Sequence, residues 1–144
     1  MNNDFIARAA EIVKKNTVGG GEFTGQICTL SLIDEQGFPT MSILTPSESD
    51  GINWITFCTL VDENRAKRSI ACNRASVCFG AAGYCVNLVG EIEVITSADI
   101  KREMWYDALE GHFAGADDPN YCVLKFTTKR YKLFMDGEDI AGIL

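Results

Sequence analysis

The segment FCTLVDENRAKRSIACNRASVCF, from Phe57 to Phe79, lies near the middle of the 144-residue chain. Its two ends are apolar and typical of strands, and a helical pattern begins between them, near Asn64. Four basic residues fall within ten positions: Arg65, Lys67, Arg68 and Arg74. The segment therefore predicts a strand, a short loop, a helix with a basic first turn, and a second strand.

Short strands also dominate the pattern on both sides of this segment. Further helices are predicted over residues 3–15 and from about Ala98 to Glu110, and the glycine-rich VGGGEFTG at residues 18–25 predicts a flexible joint. Sequential antiparallel strands joined by tight turns favour a closed or half-closed barrel over a parallel sheet. We therefore expect one mainly β domain of the α+β class over residues 1–144, a six-stranded antiparallel barrel with flanking helices. The six predicted strands are QICTLSLID, TMSILT, INWITFCT, ASVCFGA, YCVNLVGEIEVIT and YCVLKFTTKRYKLF.

Composition and charge argue against several classes of protein. The formal net charge of -7 disfavours a general nucleic-acid binder, which needs a broad positive surface. No apolar run approaches the ~20 residues that cross a bilayer, and the N-terminal pattern lacks a signal-peptide core, so we expect a cytoplasmic protein that does not enter a membrane. Six cysteines without a C-x-x-C pair and a single histidine, His112, predict no metal site. We expect the thiols to behave as small buried apolar groups.

The basic helix start can be interpreted as an anion site. Free backbone N–H groups and the positive end of the helix dipole gather there, so Arg65 and Lys67 in the first turn are unfavourable unless an anion offsets them. A phosphate held by these two side chains, the Thr59 hydroxyl and backbone amides would supply that anion. The alternative is a solvated helix face whose charges point into water.

The order of motifs resembles that of the pyridoxamine-phosphate-oxidase-like FMN-binding split barrels, in particular their short general-stress-protein branch. The resemblance covers roughly residues 25 to 135. It is carried by GFPTMSIL, by the opening segment, by YCVNLVGEIEVI, and by KREMWYDALEGHFAGADDPNYCVLKFTTKRYKLF. It implies a split barrel that binds FMN at a homodimer interface.

The resemblance also implies positions for the flavin site. The second strand would line the isoalloxazine ring, the end of the third strand would contact the flavin and its phosphate, the helix start would bind the phosphate, and the fifth strand would approach the flavin. Ala66 stands where many relatives have a phosphate-binding lysine, which leaves Arg65 as the main expected anchor. In that order the implied residues are Met41, Ser42, Ile43, Cys58, Thr59, Asn64, Arg65, Lys67, Cys85 and Asn87.

Several functions remain open at this point. The first is a flavin-dependent oxidoreductase that acts on a small molecule, with a nicotinamide cofactor, NAD(P)H, as the electron donor. The second is a non-enzymatic flavin-binding stress protein that buffers or senses FMN, an interpretation favoured by the lack of a recognisable acid or base. A third is haem binding, for which His112 is the one histidine ligand. RNA binding through the basic helix is disfavoured by the net charge.

Overall fold

The computed structural model describes residues 2–19 and 26–144. The predicted joint at residues 18–25 lies largely outside the described residues. Three α-helices, a short 3-10 helix and eight strands are found in the described ranges. Their bounds are α1 Asn2–Lys15, β1 Cys28–Ile33, β2 Pro39–Leu44, β3 Glu48–Asp50, β4 Trp54–Leu60, α2 Asn64–Ala71, β5 Arg74–Ala81, β6 Tyr84–Ile95, α3 Ala98–Met104, the 3-10 helix Asp107–Gly111, β7 Tyr121–Met135 and β8 Glu138–Ile143.

The strands form one antiparallel sheet in the order β2-β1-β5-β6-β7-β4-β3, and β8 pairs with β7 beyond the end of β4. The long strand β7 therefore holds β4 along its first half and β8 along its second half. The sheet is open between β2 and β3 and does not close into a barrel. This arrangement confirms the mainly β, α+β class and is consistent with a split barrel.

The predicted count of six strands was wrong, because β3 and β8 were not expected. The strand β3 is three residues long and polar, so it has no apolar alternation to reveal it, and only its pairing with β4 defines it. The strand β8 follows Asp136 and Gly137, which have φ values of 53° and 78°. An Asp-Gly pair with positive φ at both residues is typical of a tight hairpin turn, so this strand did have a signal in the sequence.

The third helix is shorter than expected. It ends at Met104, and the backbone of Trp105 is extended, with φ -65° and ψ 140°. Leaving the helix here allows Trp105 to pack with Phe113 and Tyr121 in edge-on or tilted contacts, their ring centroids 5.1 to 6.2 Å apart. Burial of these aromatic rings therefore outweighs the helical propensity of the residues up to Glu110.

The sheet has an inner face that forms the main core and an outer face that is more polar. Across neighbouring strands, Leu30, Val77, Leu88 and Tyr131 lie in one buried inner row. The corresponding outer row contains Thr29, Cys78, Asn87 and Lys132. Helix α1 adds buried apolar side chains to the main core. None of the described helices has the length and apolarity that a bilayer crossing requires.

Candidate functional site

The start of α2 carries an anion, and that anion is a side chain of the protein itself. Glu63 precedes the helix with an extended backbone and makes no side-chain cap to it. Its carboxylate instead accepts hydrogen bonds from the Thr59 hydroxyl and from Arg65 Nη1, the latter at 2.5 Å. The two side chains expected to hold a phosphate therefore do converge on one negatively charged group.

Two guanidinium groups tie this helix start to the edge strand β2. Arg65 Nε donates to Ser42 Oγ at 2.9 Å, and Arg68 Nη1 donates to Thr40 Oγ1 at 3.0 Å. Arg68 Nε is buried and has no hydrogen-bond partner among the described residues. A buried donor without a partner is costly, so this N–H is available to an acceptor that enters beside β2. We call Ser42, Thr59, Glu63, Arg65 and Arg68 the α2 cluster.

The other residues expected at the helix start are not part of this network. Asn64 and Lys67 are exposed, and no salt bridge of the described residues includes Lys67. Ala66, the position at which the resemblance implied a lysine in relatives, is fully buried. Arg65, with its side chain about one quarter exposed, is therefore the basic residue that the fold positions at the anion.

The second strand does not present its three expected residues to one surface. Met41 and Ile43 lie on the outer face and are 75% and 64% exposed, whereas Ser42 between them points to the inner side, where Arg65 binds it. Side chains alternate along a strand, so three consecutive residues cannot line the same face. Because β2 is an edge strand, a ligand that contacts both faces has to wrap around that edge.

Cys58 points away from the α2 cluster, although Thr59 belongs to it. Its thiol lies 3.5 Å from the Tyr121 hydroxyl and 3.7 Å from the Met104 carbonyl oxygen, in the second, smaller core. Burial raises the pKa of this thiol, which therefore stays protonated at neutral pH. The structure separates Cys58 from the expected phosphate site.

Cys85 and Asn87 lie on the outer face of β6. The Cys85 sulfur is 3.6 Å from that of Cys78, and Asn87 pairs with Cys78 in the register. Burial, together with the contact to Cys85, raises the pKa of Cys78 to about 11. Strands β1 and β5 separate β2 from β6, so this pair of residues lies roughly 14 Å from Met41 at the usual strand spacing. One protomer does not bring all the expected flavin residues together.

The histidine and the acidic residues form no metal centre in the described part of the chain. His112 is exposed directly after the 3-10 helix. No group of three or more histidine, cysteine, aspartate or glutamate side chains in the described residues is arranged to hold a metal ion.

Two residue sets were not anticipated from the sequence. Glu63 was missed, although a carboxylate two positions before Arg65 is visible in the sequence as a candidate ion-pair partner. A groove of 530 Å³ on the outer face is lined by Arg74, Lys129 and Arg130 next to a β-bulge. An isolated glycine within a predicted strand, here Gly90, is the signal that could have indicated that bulge.

The fold and the α2 cluster together define a class: an open split barrel with a strand-to-helix junction at which Thr59 and Arg65 meet a carboxylate. Residues 24–134 match the family described as pyridoxamine 5'-phosphate oxidase. The match covers more than half of the chain, and the protein belongs to this family.

Individual relatives agree with this assignment. General stress protein 26 of Bacillus subtilis (strain 168) is 33% identical over 61 residues, which are 42% of this chain and 44% of that protein. The matched segment thus spans less than half of the curated relative. A crystal structure from Clostridium acetobutylicum, of a protein related to general stress protein 26, superposes with a TM-score of 0.83 at 21% identity and covers 100% of this chain and 97% of that chain.

Two further structural neighbours differ in the ligand that is named for them. A pyridoxamine 5'-phosphate oxidase-related, FMN-binding protein from Nostoc punctiforme has a TM-score of 0.67 at 14% identity, with 96% of this chain and 94% of that chain covered. A heme-binding protein from Mycobacterium smegmatis has a TM-score of 0.70 at 17% identity, with 96% of this chain and 57% of that chain covered. At these identities the likeness concerns the fold alone.

Proposed function

We propose that this protein binds FMN, with the flavin phosphate held at the start of α2, and that it acts as a flavin-dependent oxidoreductase on a small molecule. One observation carries the proposal: Thr59 and Arg65 already hold an anionic group, the Glu63 carboxylate, at the strand end and helix start where the sequence predicts a phosphate. The carboxylate acts as a stand-in for a phosphate oxygen pair, so the residues present fit such a group.

The roles of individual side chains follow from these contacts. Arg65 would bind the phosphate while Ser42 fixes the plane of its guanidinium through the 2.9 Å hydrogen bond. Thr59 would donate its hydroxyl, and the free N–H groups in the first turn of α2 would complete the cradle. The unpartnered Arg68 Nε would donate to an acceptor beside β2. When bound, FMN supplies hydride and single-electron transfer, and the protein supplies position and electrostatics.

Phosphate binding requires Glu63 to move, because two anions cannot share one guanidinium pocket without strong repulsion. Glu63→Gln removes the competing charge and keeps the side-chain shape. We therefore expect this variant to bind FMN about tenfold more tightly than the wild type, because Thr59 and Arg65 are then no longer occupied by the Glu63 carboxylate. Asp62→Asn is the matched control, since Asp62 is the exposed neighbouring carboxylate.

The phosphate contact is tested by comparing FMN with riboflavin, which lacks the phosphate. Arg65→Ala removes a charge-assisted contact of roughly 1.5–3 kcal/mol, so FMN affinity should fall about ten- to hundredfold. Riboflavin affinity should change less than about threefold, because the ring does not need this charge. Equal losses for the two flavins would show that Arg65 does not touch the phosphate. A wild-type protein that binds neither flavin would refute the proposed function itself.

The assembly that we propose is a homodimer with the flavin at the interface. Three large apolar side chains on or beside the edge strand β2 are strongly exposed, Phe38 at 63%, Met41 at 75% and Ile43 at 64%. An exposed apolar edge strand is normally covered by another element or chain. A second copy that covers β2 would place partner residues beside the α2 cluster. Met41→Glu with Ile43→Glu should convert a dimer to a monomer in light scattering and weaken FMN binding, and a wild-type monomer would refute the assembly.

A non-enzymatic flavin carrier is the second candidate. Cys58, an expected flavin residue, and Cys78, the neighbour of the expected residue Cys85, have raised pKa values and are poor proton donors at neutral pH. This observation fits flavin binding without turnover as well as it fits hydride transfer without a protein acid. Anaerobic mixing of the FMN-loaded protein with NADH or NADPH distinguishes the two functions. Bleaching of the flavin absorbance at a useful rate supports the enzyme, and an unchanged spectrum supports the carrier.

Haem binding is the remaining alternative, because one structural neighbour is described as a heme-binding protein. His112 is exposed after the 3-10 helix and is distant in sequence from the α2 cluster. Titration with hemin would produce a Soret band that His112→Ala abolishes if this histidine is an axial ligand. A Soret band of unchanged intensity in the variant would exclude His112 from that role.

A further inference from the structure

The outer face contains a groove that is separate from the α2 cluster. It lies at the register shift between Val89 and Gly90, where β6 and β7 are interrupted by a β-bulge. We call it the bulge groove; its volume is 530 Å³ and its main lining residues are Asn73, Arg74, Val89, Glu91, Lys129 and Arg130. The side chains that bind Arg65 and Arg68 point to the other side of the sheet, so the two sites do not share residues.

The bulge is what brings two cations of β7 to one groove. Val89 pairs with Arg130 and Gly90 pairs with Thr128, so Lys129 is the extra residue without a partner on β6. Lys129 and Arg130 both line the groove, whereas consecutive residues of a regular strand point to opposite faces. Bulges re-aim side chains in this way and are frequent next to functional sites.

The charges in the groove are not balanced by the protein. Three cations, Arg74, Lys129 and Arg130, face one carboxylate, Glu91. Glu91 is already engaged, with its oxygens 3.5 Å from Lys129 Nζ and 2.8 Å from Asn73 Nδ2. Among the described residues, no ion pair includes Arg74 or Arg130. Two guanidinium groups without a carboxylate stand out in a chain whose formal net charge is -7.

A second groove of 510 Å³ continues from the bulge groove and shares Val89 and Arg130 with it. Apart from Asn87, Arg130 and Lys132, its lining is largely apolar and includes Ala141 and Ile143. A ligand that spans both grooves therefore has an anionic head and an apolar or aromatic body. A phosphate monoester offers three oxygens and close to two negative charges, enough for two guanidinium groups at once, which favours phosphate over a single carboxylate as the head.

We propose that the bulge groove binds the phosphate of an organic phosphate monoester whose ring lies over Val89 in the adjoining groove. Arg74 and Arg130 bind the phosphate oxygens, and Lys129 adds charge while it is held by Glu91. Asn87 lines the adjoining groove and is one of the residues expected near the flavin, so the site suits a phosphorylated co-substrate, a role that rests on the proposed function. The binding itself requires no flavin and is independent of the α2 cluster.

The test uses phenyl phosphate, phenol and inorganic phosphate as probes of the ligand-free, full-length protein. Backbone amide resonances of Val89, Gly90 and Arg130 are followed by two-dimensional NMR during each titration. We expect saturable shifts with phenyl phosphate, weaker binding of inorganic phosphate, and no saturation with phenol. Phenol that binds as tightly as phenyl phosphate, or the absence of saturable shifts at these amides, overturns the proposal.

Two double variants test whether the guanidinium groups of the bulge groove bind the phosphate. Arg74→Gln with Arg130→Gln should weaken phenyl phosphate at least about tenfold, because each lost contact is charge-assisted. Lys14→Gln with Lys15→Gln removes the same charge from two exposed residues of α1 and should change the affinity less than about twofold. Equal affinity losses in the two double variants overturn the site. FMN titrations of the same proteins distinguish this proposal from the proposed function. The Arg74→Gln, Arg130→Gln double variant should bind FMN with unchanged affinity, because neither residue belongs to the α2 cluster.

Discussion

Replacement of Gly90 by alanine is expected to destabilise the protein severely, because the β-bulge leaves no room for a side chain. A Cβ atom at this position would lie 2.0 Å from the Thr127 carbonyl oxygen, 2.9 Å from the carbonyl carbon and 3.1 Å from the Lys129 nitrogen. All three neighbours are backbone atoms, so no rotamer change relieves the clash. The oxygen must retreat by roughly 1.4 Å before ordinary contact is reached.

The magnitude follows from that retreat. Overpacking of a rigid site costs about 1–3 kcal/mol, and opening the bulge also weakens one or two ladder hydrogen bonds at about 1 kcal/mol each. We therefore expect the free energy of unfolding to fall by roughly 3–4 kcal/mol, a large part of the 5–15 kcal/mol that is usual for a domain. The corresponding decrease in Tm is about 10–15 °C for a chain of this size.

The assay is urea and thermal unfolding, followed by circular dichroism, with Gly80→Ala as the matched control. Gly80 is also in this sheet, but the nearest atom to its added Cβ is the Cys78 sulfur at 4.0 Å. The control should therefore stay within about 1 kcal/mol of the wild type. If Gly90→Ala also stays within that limit, the Thr127 backbone does not lie as close to Gly90 as the structure shows. The Gly90→Ala variant should in addition lose phenyl phosphate binding, since without the bulge Lys129 and Arg130 would no longer line the same groove.

Three further predictions concern stability. Gly142→Val should cost about 1–3 kcal/mol in urea unfolding, because a Cβ there would lie 2.3 Å from the hydroxyl of the buried Tyr131; an unchanged midpoint would contradict this packing. Tyr121→Phe removes a buried hydroxyl that donates at 2.9 Å to a carbonyl of α3 and should cost about 1–2 kcal/mol; a neutral effect would show that the bond contributes nothing. Burial raises the pKa of Cys28 to about 12 and that of Cys122 to about 11. Both folded pKa values lie above the ordinary thiol value, so the unfolded chain loses these protons first as the pH rises. The free energy of unfolding is therefore at its full value at neutral pH and falls as the pH rises from about 9 towards 12. Unfolding free energies that stay constant between pH 8 and 11 would contradict the burial.

The strands that were predicted correctly are those whose apolar residues alternate or cluster strongly. The pattern of Cys28, Leu30 and Leu32 is sufficient to predict β1, because each of these side chains is buried on the inner face. The short strand β3 has no such pattern and exists only because β4 offers it a pairing edge. The end of α3 was missed for a similar reason, since the burial of Trp105 against Tyr121 is a tertiary contact.

The flavin-site residues were partly predictable. The convergence of Thr59 and Arg65 follows from a strand that ends just before a helix, and the structure does bring the two side chains together. The position of Cys58 on the opposite side of the same strand follows from the alternation of side chains along β4. The position of Cys85 and Asn87 relative to β2 depends on the strand order, and neighbouring segments in the sequence do not specify that order.

By itself, the sequence determined the family, the strand-rich class and the basic start of α2, because these depend on local patterns and on the order of motifs. The tertiary structure decided which anion meets Arg65 and where the cations Arg74, Lys129 and Arg130 gather. The physical reason is that charges act through space. Glu63 reaches Thr59 and Arg65 only after the chain turns from strand into helix, and the three cations of the groove meet only where two strands, far apart in sequence, pair around a bulge.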